Sequence, residues 1–326
     1  MTLDQSSGSR LLSRRTLLRG GGAATILVAS GGVWRAVDQG VFSPTIGPAF
    51  APWHDWQASG ATGPLALVPA AILAANAHNT QPWRFRVGES RIDLIADPTR
   101  SIGAIDPFSR ERDISLGCAL ENLLLAARAY GFNYRLQLTP DSSDHTFMAR
   151  VDLTRDEVAR HPLYDAIPRR HTNRYPYDAG WQFPQEMRNA LDLLTAGDDE
   201  VSIGWFTSDE QRQHLRALLV AASEAINSDR EQAHDNIDRW LRQDADDVQR
   251  HRDGLTLDAA GLSWFNRVAA KMLPQQSLTS SSSAWLAAEK EQASTAAAFG
   301  VLTVRDPRSA GQRMRLAASG NGCTSG

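Results

Sequence analysis

Apolar and polar positions follow two different periods along this chain. Trp83, Phe85 and Val87 alternate with Arg84 and Arg86, Gly88-Glu89 supplies a turn, and Ile92, Leu94 and Ala96 resume the alternation. This pattern predicts a β-hairpin with one buried face. Tyr134, Leu136 and Leu138 alternate in the same way, as do Phe147, Ala149, Val151 and Leu153, giving two more strands. Between the pairs, the leucine- and alanine-rich run Ile114 to Ala127, followed by Gly131, predicts a long helix from Asp113 to Tyr130. Leu65-Ala66-Leu67-Val68 and Ala70 to Ala75 are too uniformly apolar for a surface helix, so this segment is expected to be buried.

Beyond a charged stretch ending at Pro162, a helix is expected from Pro184 to Leu194, with Met187, Leu191 and Leu194 on one face. Val201 to Phe206 reads as a strand, and Ser208 with Gln211 forms a capping box opening a helix through Leu215, Leu219 and Ile226. Asp235 to Arg252 reads as a highly charged helical stretch, Ser277 to Ser283 as a Ser/Thr-rich loop, and Phe299 to Val304 as a central strand. The class is α+β.

Composition narrows the function. The 326 residues, 42% hydrophobic and 22% charged, suffice for one large domain or two ordinary ones. A formal charge of −3, with no arginine stripe interleaved with aromatics, argues against nucleic acid as partner. Cys118 and Cys323 alone make neither a disulfide framework nor a zinc site. No Gly-x-Ser-x-Gly or His-Glu-x-x-His occurs, so hydrolase chemistry lacks support.

The N-terminus resembles a twin-arginine export signal. Arg14-Arg15 lies in a positive segment, and Gly20 to Ser30 is weakly hydrophobic and too short to span a membrane. The resemblance implies export of a folded protein by the twin-arginine machinery, to a periplasmic or membrane-associated location. Residues 1–42 are assigned to this signal and its linker.

The most informative stretch is Asn76-Ala77-His78-Asn79-Thr80-Gln81-Pro82-Trp83, where an apolar segment meets the hairpin through a run of amides. It resembles the Asn-x-Gln-Pro-Trp turn of the nitroreductase superfamily, which binds FMN. Arg169-Arg170-His171-Thr172-Asn173-Arg174 is similar to the Arg-x-Ser/Thr-x-Arg element of that superfamily, which holds the FMN phosphate. The long helix, preceded by Asp106-Pro107 and Arg110-Glu111, resembles that of the fused, Acg-like branch. The resemblance implies a nitroreductase-like mixed β-sheet flanked by helices. It also implies an FMN site formed by Asn76, Ala77, Asn79 and Gln81 at the ring and by Arg170, Thr172 and Arg174 at the phosphate. No catalytic residue is assigned; His78 is read as a turn histidine, and His171 as a position inside the phosphate element where the family tolerates many residues.

The residue types suit those tasks. Amides both donate and accept, as the pyrimidine edge of the ring requires. Two arginines alternating with a hydroxyl along extended chain can present planar forks to one dianion. The turn lies in the first half (43–155) and the arginines in the second (156–326). The halves are therefore expected to form an intrachain pseudo-dimer with a single FMN site. The Gly/Ser-rich tail after Leu316 departs from the family and suggests a shortened C-terminus.

Two functions follow from the resemblance. One is an FMN-dependent oxidoreductase passing electrons from NAD(P)H or another donor to a small organic acceptor, such as a nitroaromatic or quinone. The other is a protein that sequesters FMN without turnover, with the insertion Asp229 to Ser283 folded over the ring.

Overall fold

The computed structural model describes residues 47–57, 60–196, 198–272 and 278–318. The twin-arginine segment and the tail beyond residue 318 lie outside the described residues.

The alternating segments form one antiparallel sheet. Strands β1 (Trp83–Val87), β2 (Arg91–Ala96), β3 (Phe132–Leu138) and β4 (Phe147–Arg155) pair in the order β1-β2-β4-β3. Phe85 sits opposite Leu94 and Leu136 opposite Val151, so the apolar partners of each strand share a face, as a period of two requires. Two short helices, α1 (Ala51–Asp55) and α2 (Val68–Ala71), precede the sheet. The apolar segment is buried as expected, with Leu67, Ala71 and Leu73 at most 1% exposed. It is not one helix: a 3-10 turn over Gly63–Leu67 leads into α2, and Pro69 stands at its start.

Helix α3 (Arg110–Ala129) starts three residues earlier than its pattern predicts and is buried on more than one flank. Leu116, Leu120, Leu123 and Leu124 join the same core as Ile92, Leu94, Met148 and Val151 of the sheet. On another flank, the Asn122 amide donates to Ala70 O of α2 at 3.0 Å. The third is covered by the last helix, α11 (Ala310–Ala318). A Cβ on Gly117 would stand 2.2 Å from Met314 O, so only glycine allows this approach. Beside it, Arg313 Nε donates to the fully buried Asp113 carboxylate at 2.9 Å.

Helices α4 (Pro162–Ala166) and α5 (Gln185–Asp192) lead to β5 (Val201–Phe206). Then follow α6 (Asp209–Ser228), α7 (Arg230–Ala233), β6 (Leu241–Arg242), α8 (Ala245–His251), β7 (Leu255–Thr256), α9 (Trp264–Met272), α10 (Leu278–Thr295) and β8 (Phe299–Val304). The α+β class holds: both larger sheets are antiparallel, and the parallel pairing is the short β6–β7 contact. The Ser208–Gln211 capping box is present in both directions.

Four expectations for this half are corrected. The charged stretch 235–252 is broken into a π turn (His234–Asp238), β6 and α8, because buried Trp240 and the Arg242–Asp253 ion pair anchor its middle to a neighbouring segment. The Ser/Thr run from Leu278 is the first part of α10, carried by the Ala-, Glu- and Lys-rich sequence behind it. Strand β8 pairs only with β5 and exposes Val301 and Leu302, so it is part of a ribbon rather than a central strand. Met187 of α5 and Leu194, beyond the helix end, are exposed, leaving that apolar face largely uncovered. No helix among the described residues is long and apolar enough to cross a membrane.

Candidate functional site

The amide-rich turn is an unusual piece of backbone. Asn76 is extended, and the chain then closes through a 3-10 turn in which His78, Asn79 and, just beyond, Gln81 take φ of 51°, 52° and 50°. Asn and His tolerate this left-handed region better than most residues, whereas Gln does not. Three such residues in four positions need support from outside, which costs on the order of 1–3 kcal/mol each when it is missing.

Support comes from both halves of the chain. Asn76 Oδ1 accepts from Gln81 N at 2.8 Å and its amide nitrogen donates to Ala74 O, so Asn76 closes the turn on itself. Ala77 N donates to Ser115 Oγ of α3 at 3.0 Å. From the second half, Gly254 N donates to Asn79 O at 3.1 Å, and Gln81 Nε2 donates to Arg252 O at 2.7 Å. Arg100 Nη1 donates to Thr80 O at 2.8 Å and also pairs with Asp253, which in turn pairs with Arg242. The exposed Asn79 amide makes no side-chain hydrogen bond among the described residues.

His78 is the exception within the turn. Its Nε2 lies 2.9 Å from Asn236 Oδ1, on the π turn of the second half, while Nδ1 is buried without a partner. Burial pushes its pKa below the ordinary imidazole value, and the charge of Arg174 adds to that; Asn236 and Glu289 pull the other way without prevailing.

The arginine segment leaves a 3-10 turn at Arg169, with Arg170 itself in extended backbone. Arg170 Nη2 donates to Leu73 O at 3.3 Å, Nη1 reaches Thr172 Oγ1 at 3.4 Å, and the guanidinium lies over the Trp53 ring. Arg170 therefore touches the segment that leads into the amide turn, and Arg174 acts electrostatically on His78 within it. Neither arginine pairs with a carboxylate among the described residues, and burial lowers the pKa of both. Both remain cations. His171 packs its ring against Trp53 with centroids 5.0 Å apart.

The segment 229–272 touches both motifs. Asn236, Arg252 and Gly254 hold the turn, while a Cβ on Gly261 would stand 2.2 Å from Arg174 O, and Asp258 O accepts from Tyr175 Oη. Asn236 and Asp253 were not legible as turn supports, because they act on His78 and Arg100 across more than 150 residues of sequence. A groove of about 440 Å³ between α5 and β5, lined by Arg188, Asp192 and Trp205, involves neither motif. No cluster of three or more His, Cys, Asp or Glu side chains suited to a metal ion occurs among the described residues.

No family model matches the chain. It is 34% identical over 120 residues to the Mycobacterium tuberculosis protein named "Putative NAD(P)H nitroreductase Rv3131", covering 36% of this chain and 35% of that protein. It is 30% identical over 166 residues to "Putative NAD(P)H nitroreductase acg" from the same organism, covering 49% of this chain and 47% of the relative. An uncharacterised protein of that organism is 30% identical over 188 residues, covering 53% of this chain and 52% of the relative. The chain thus spans between about a third and a half of the length of these curated relatives.

Proposed function

We propose that the chain binds one FMN between the amide turn and the arginine segment, and uses it as an oxidoreductase of the nitroreductase type. The observation that carries this reading is the pair Arg170 and Arg174. The half-buried Arg174 and the more exposed Arg170 have no carboxylate partner among the described residues and stand beside a polar turn, an arrangement that a dianionic phosphate would complete. The polar groups suit the ligand: two cations and the Thr172 hydroxyl for the phosphate, and the Asn79 amide and the unmatched Nδ1 acceptor of His78 for the ring.

Bound FMN would supply hydride and electron transfer. The chain's own residues would do the rest. Arg170 and Arg174 would neutralise the phosphate, and Asn79 and Ala77 would orient the polar edge of the ring. The supports on Gln81 and Thr80 would keep the turn from relaxing. The names of two relatives suggest NAD(P)H as donor and a nitro compound as acceptor; a quinone is a further candidate of the same redox class.

A second reading, sequestration of FMN without turnover, is favoured by one specific observation: segment 229–272 is hydrogen-bonded to the turn through Asn236, Arg252 and Gly254. A cover tied down at three points restricts approach of a nicotinamide. Anaerobic addition of NADPH to FMN-loaded protein separates the two. Rapid bleaching of the flavin supports the enzyme; a flavin reduced by dithionite but not by NADPH supports sequestration. Purified protein that shows no flavin absorbance and takes up no added FMN overturns both. Export by the twin-arginine route remains a proposal, tested by whether replacing Arg14 and Arg15 with Lys retains the protein in the cytoplasm.

A further inference from the structure

His78 is the one polar side chain of the turn with a buried atom left unmatched, and its surroundings define what it lacks. Because Nε2 faces the Asn236 oxygen at 2.9 Å, Nε2 carries the proton of a neutral ring, and Nδ1 presents a lone pair. That lone pair is buried and accepts from no donor among the described residues. A neutral ring is what the site favours. Burial and the Arg174 cation oppose a second proton and outweigh Asn236 and Glu289, the groups that favour one. An acceptor without a donor, fixed by a hydrogen bond on the opposite side of its ring, is a recognition point for an N–H or O–H group.

We propose that His78 reads the bound flavin through Nδ1, accepting a hydrogen bond from the N3–H of the isoalloxazine ring. Oxidised isoalloxazine offers a single ring donor, N3–H, among several acceptors, so an acceptor-only side chain at the ring end has one complementary atom. This inference rests on the FMN reading above and assigns a residue that the motif itself leaves as a spacer between Asn76 and Asn79.

The backbone dictates the variants. With φ of 51°, position 78 accepts Gly without strain and Asn with little, whereas a β-branched or bulky residue would distort the turn. His78→Gly therefore removes the acceptor while keeping the turn, and circular dichroism with thermal melting checks that it does. Wild-type protein and the variant are titrated with FMN and with N3-methyl-FMN by flavin fluorescence. A buried hydrogen bond of this kind corresponds to roughly tenfold in affinity. Wild type is expected to prefer FMN by about that factor, and His78→Gly to bind both flavins within about twofold of each other.

Because the methyl group also adds bulk, a second readout uses ¹⁵N-histidine-labelled protein. The pyridine-type Nδ1 resonance of His78 should move upfield on adding FMN and stay in place on adding N3-methyl-FMN. Equal affinity of wild type for the two flavins, or an unmoved Nδ1 resonance in the FMN complex, overturns the role of His78 and leaves FMN binding standing. No binding of FMN to wild type overturns the FMN reading and this inference with it.

Discussion

Arg170 and Arg174 are the residues on which the functional reading turns, and they give the sharpest test at this scale. Hydrogen bonds to charged groups are worth about 1.5–3 kcal/mol. Arg170→Ala or Arg174→Ala should each weaken FMN by roughly 10- to 100-fold while leaving riboflavin, which has no phosphate, within about twofold of wild type. Parallel fluorescence titrations with the two flavins would show it, and an equal loss for both would point to collapse of the site instead. Asp97 offers a test of what holds the turn. Burial would raise its pKa, but hydrogen bonds from Thr99 and the Arg84 guanidinium outweigh that and hold it below the usual carboxylate range. A carboxyl depressed on folding contributes stability above its unfolded pKa, about 3.9, and loses it as pH falls through the folded value. Asp97→Asn should therefore lower the unfolding midpoint at pH 7, with the gap to wild type closing as pH falls through the depressed folded value, as urea titrations across the acid range would show.

At the scale of elements, the sequence revealed most where burial repeats at a single period. Strands β1 to β4 were legible because each lays one kind of residue on one face, helix α3 because its leucine- and alanine-rich run is long and unbroken, and the Ser208–Gln211 cap because its partners are three residues apart. The stretch 234–256 was not. Its π turn is held by His78 and the Ala104 amide, and its two-residue strands lie beside Arg100 and the Asn79 carbonyl, partners that no local pattern announces. The amide turn was recognisable as a motif, yet the division of labour within it was not: Asn76 closes the loop, Asn79 keeps its amide free, and His78 carries the unmatched atom. A tight joint between helices is Gly117 against Met314 O. Gly117→Ala would force α3 and α11 apart in a packed core, and overpacking of this kind costs about 1–3 kcal/mol. Denaturant unfolding should register that loss, and an unchanged midpoint would mean that α11 can slide without penalty.

At the scale of the molecule, the amide turn lies in the first half and the arginines in the second, and no second copy of either motif is present in the sequence. Equilibrium titration of flavin-free protein should therefore saturate at one FMN per chain, and two bound flavins would require a site that neither motif provides. The same long-range dependence appears in the core. Asp113 and Arg313, 200 residues apart, close the flank of α3 together with Met314. During translation the ribosome releases the sheet and its long helix well before α11 exists. Until Ala310–Ala318 emerge, Gly117 and the Asp113 carboxylate line an open seam on an otherwise finished half. Such a nascent polypeptide is a natural client for a chaperone, and one stalled short of that helix is easy prey for a protease.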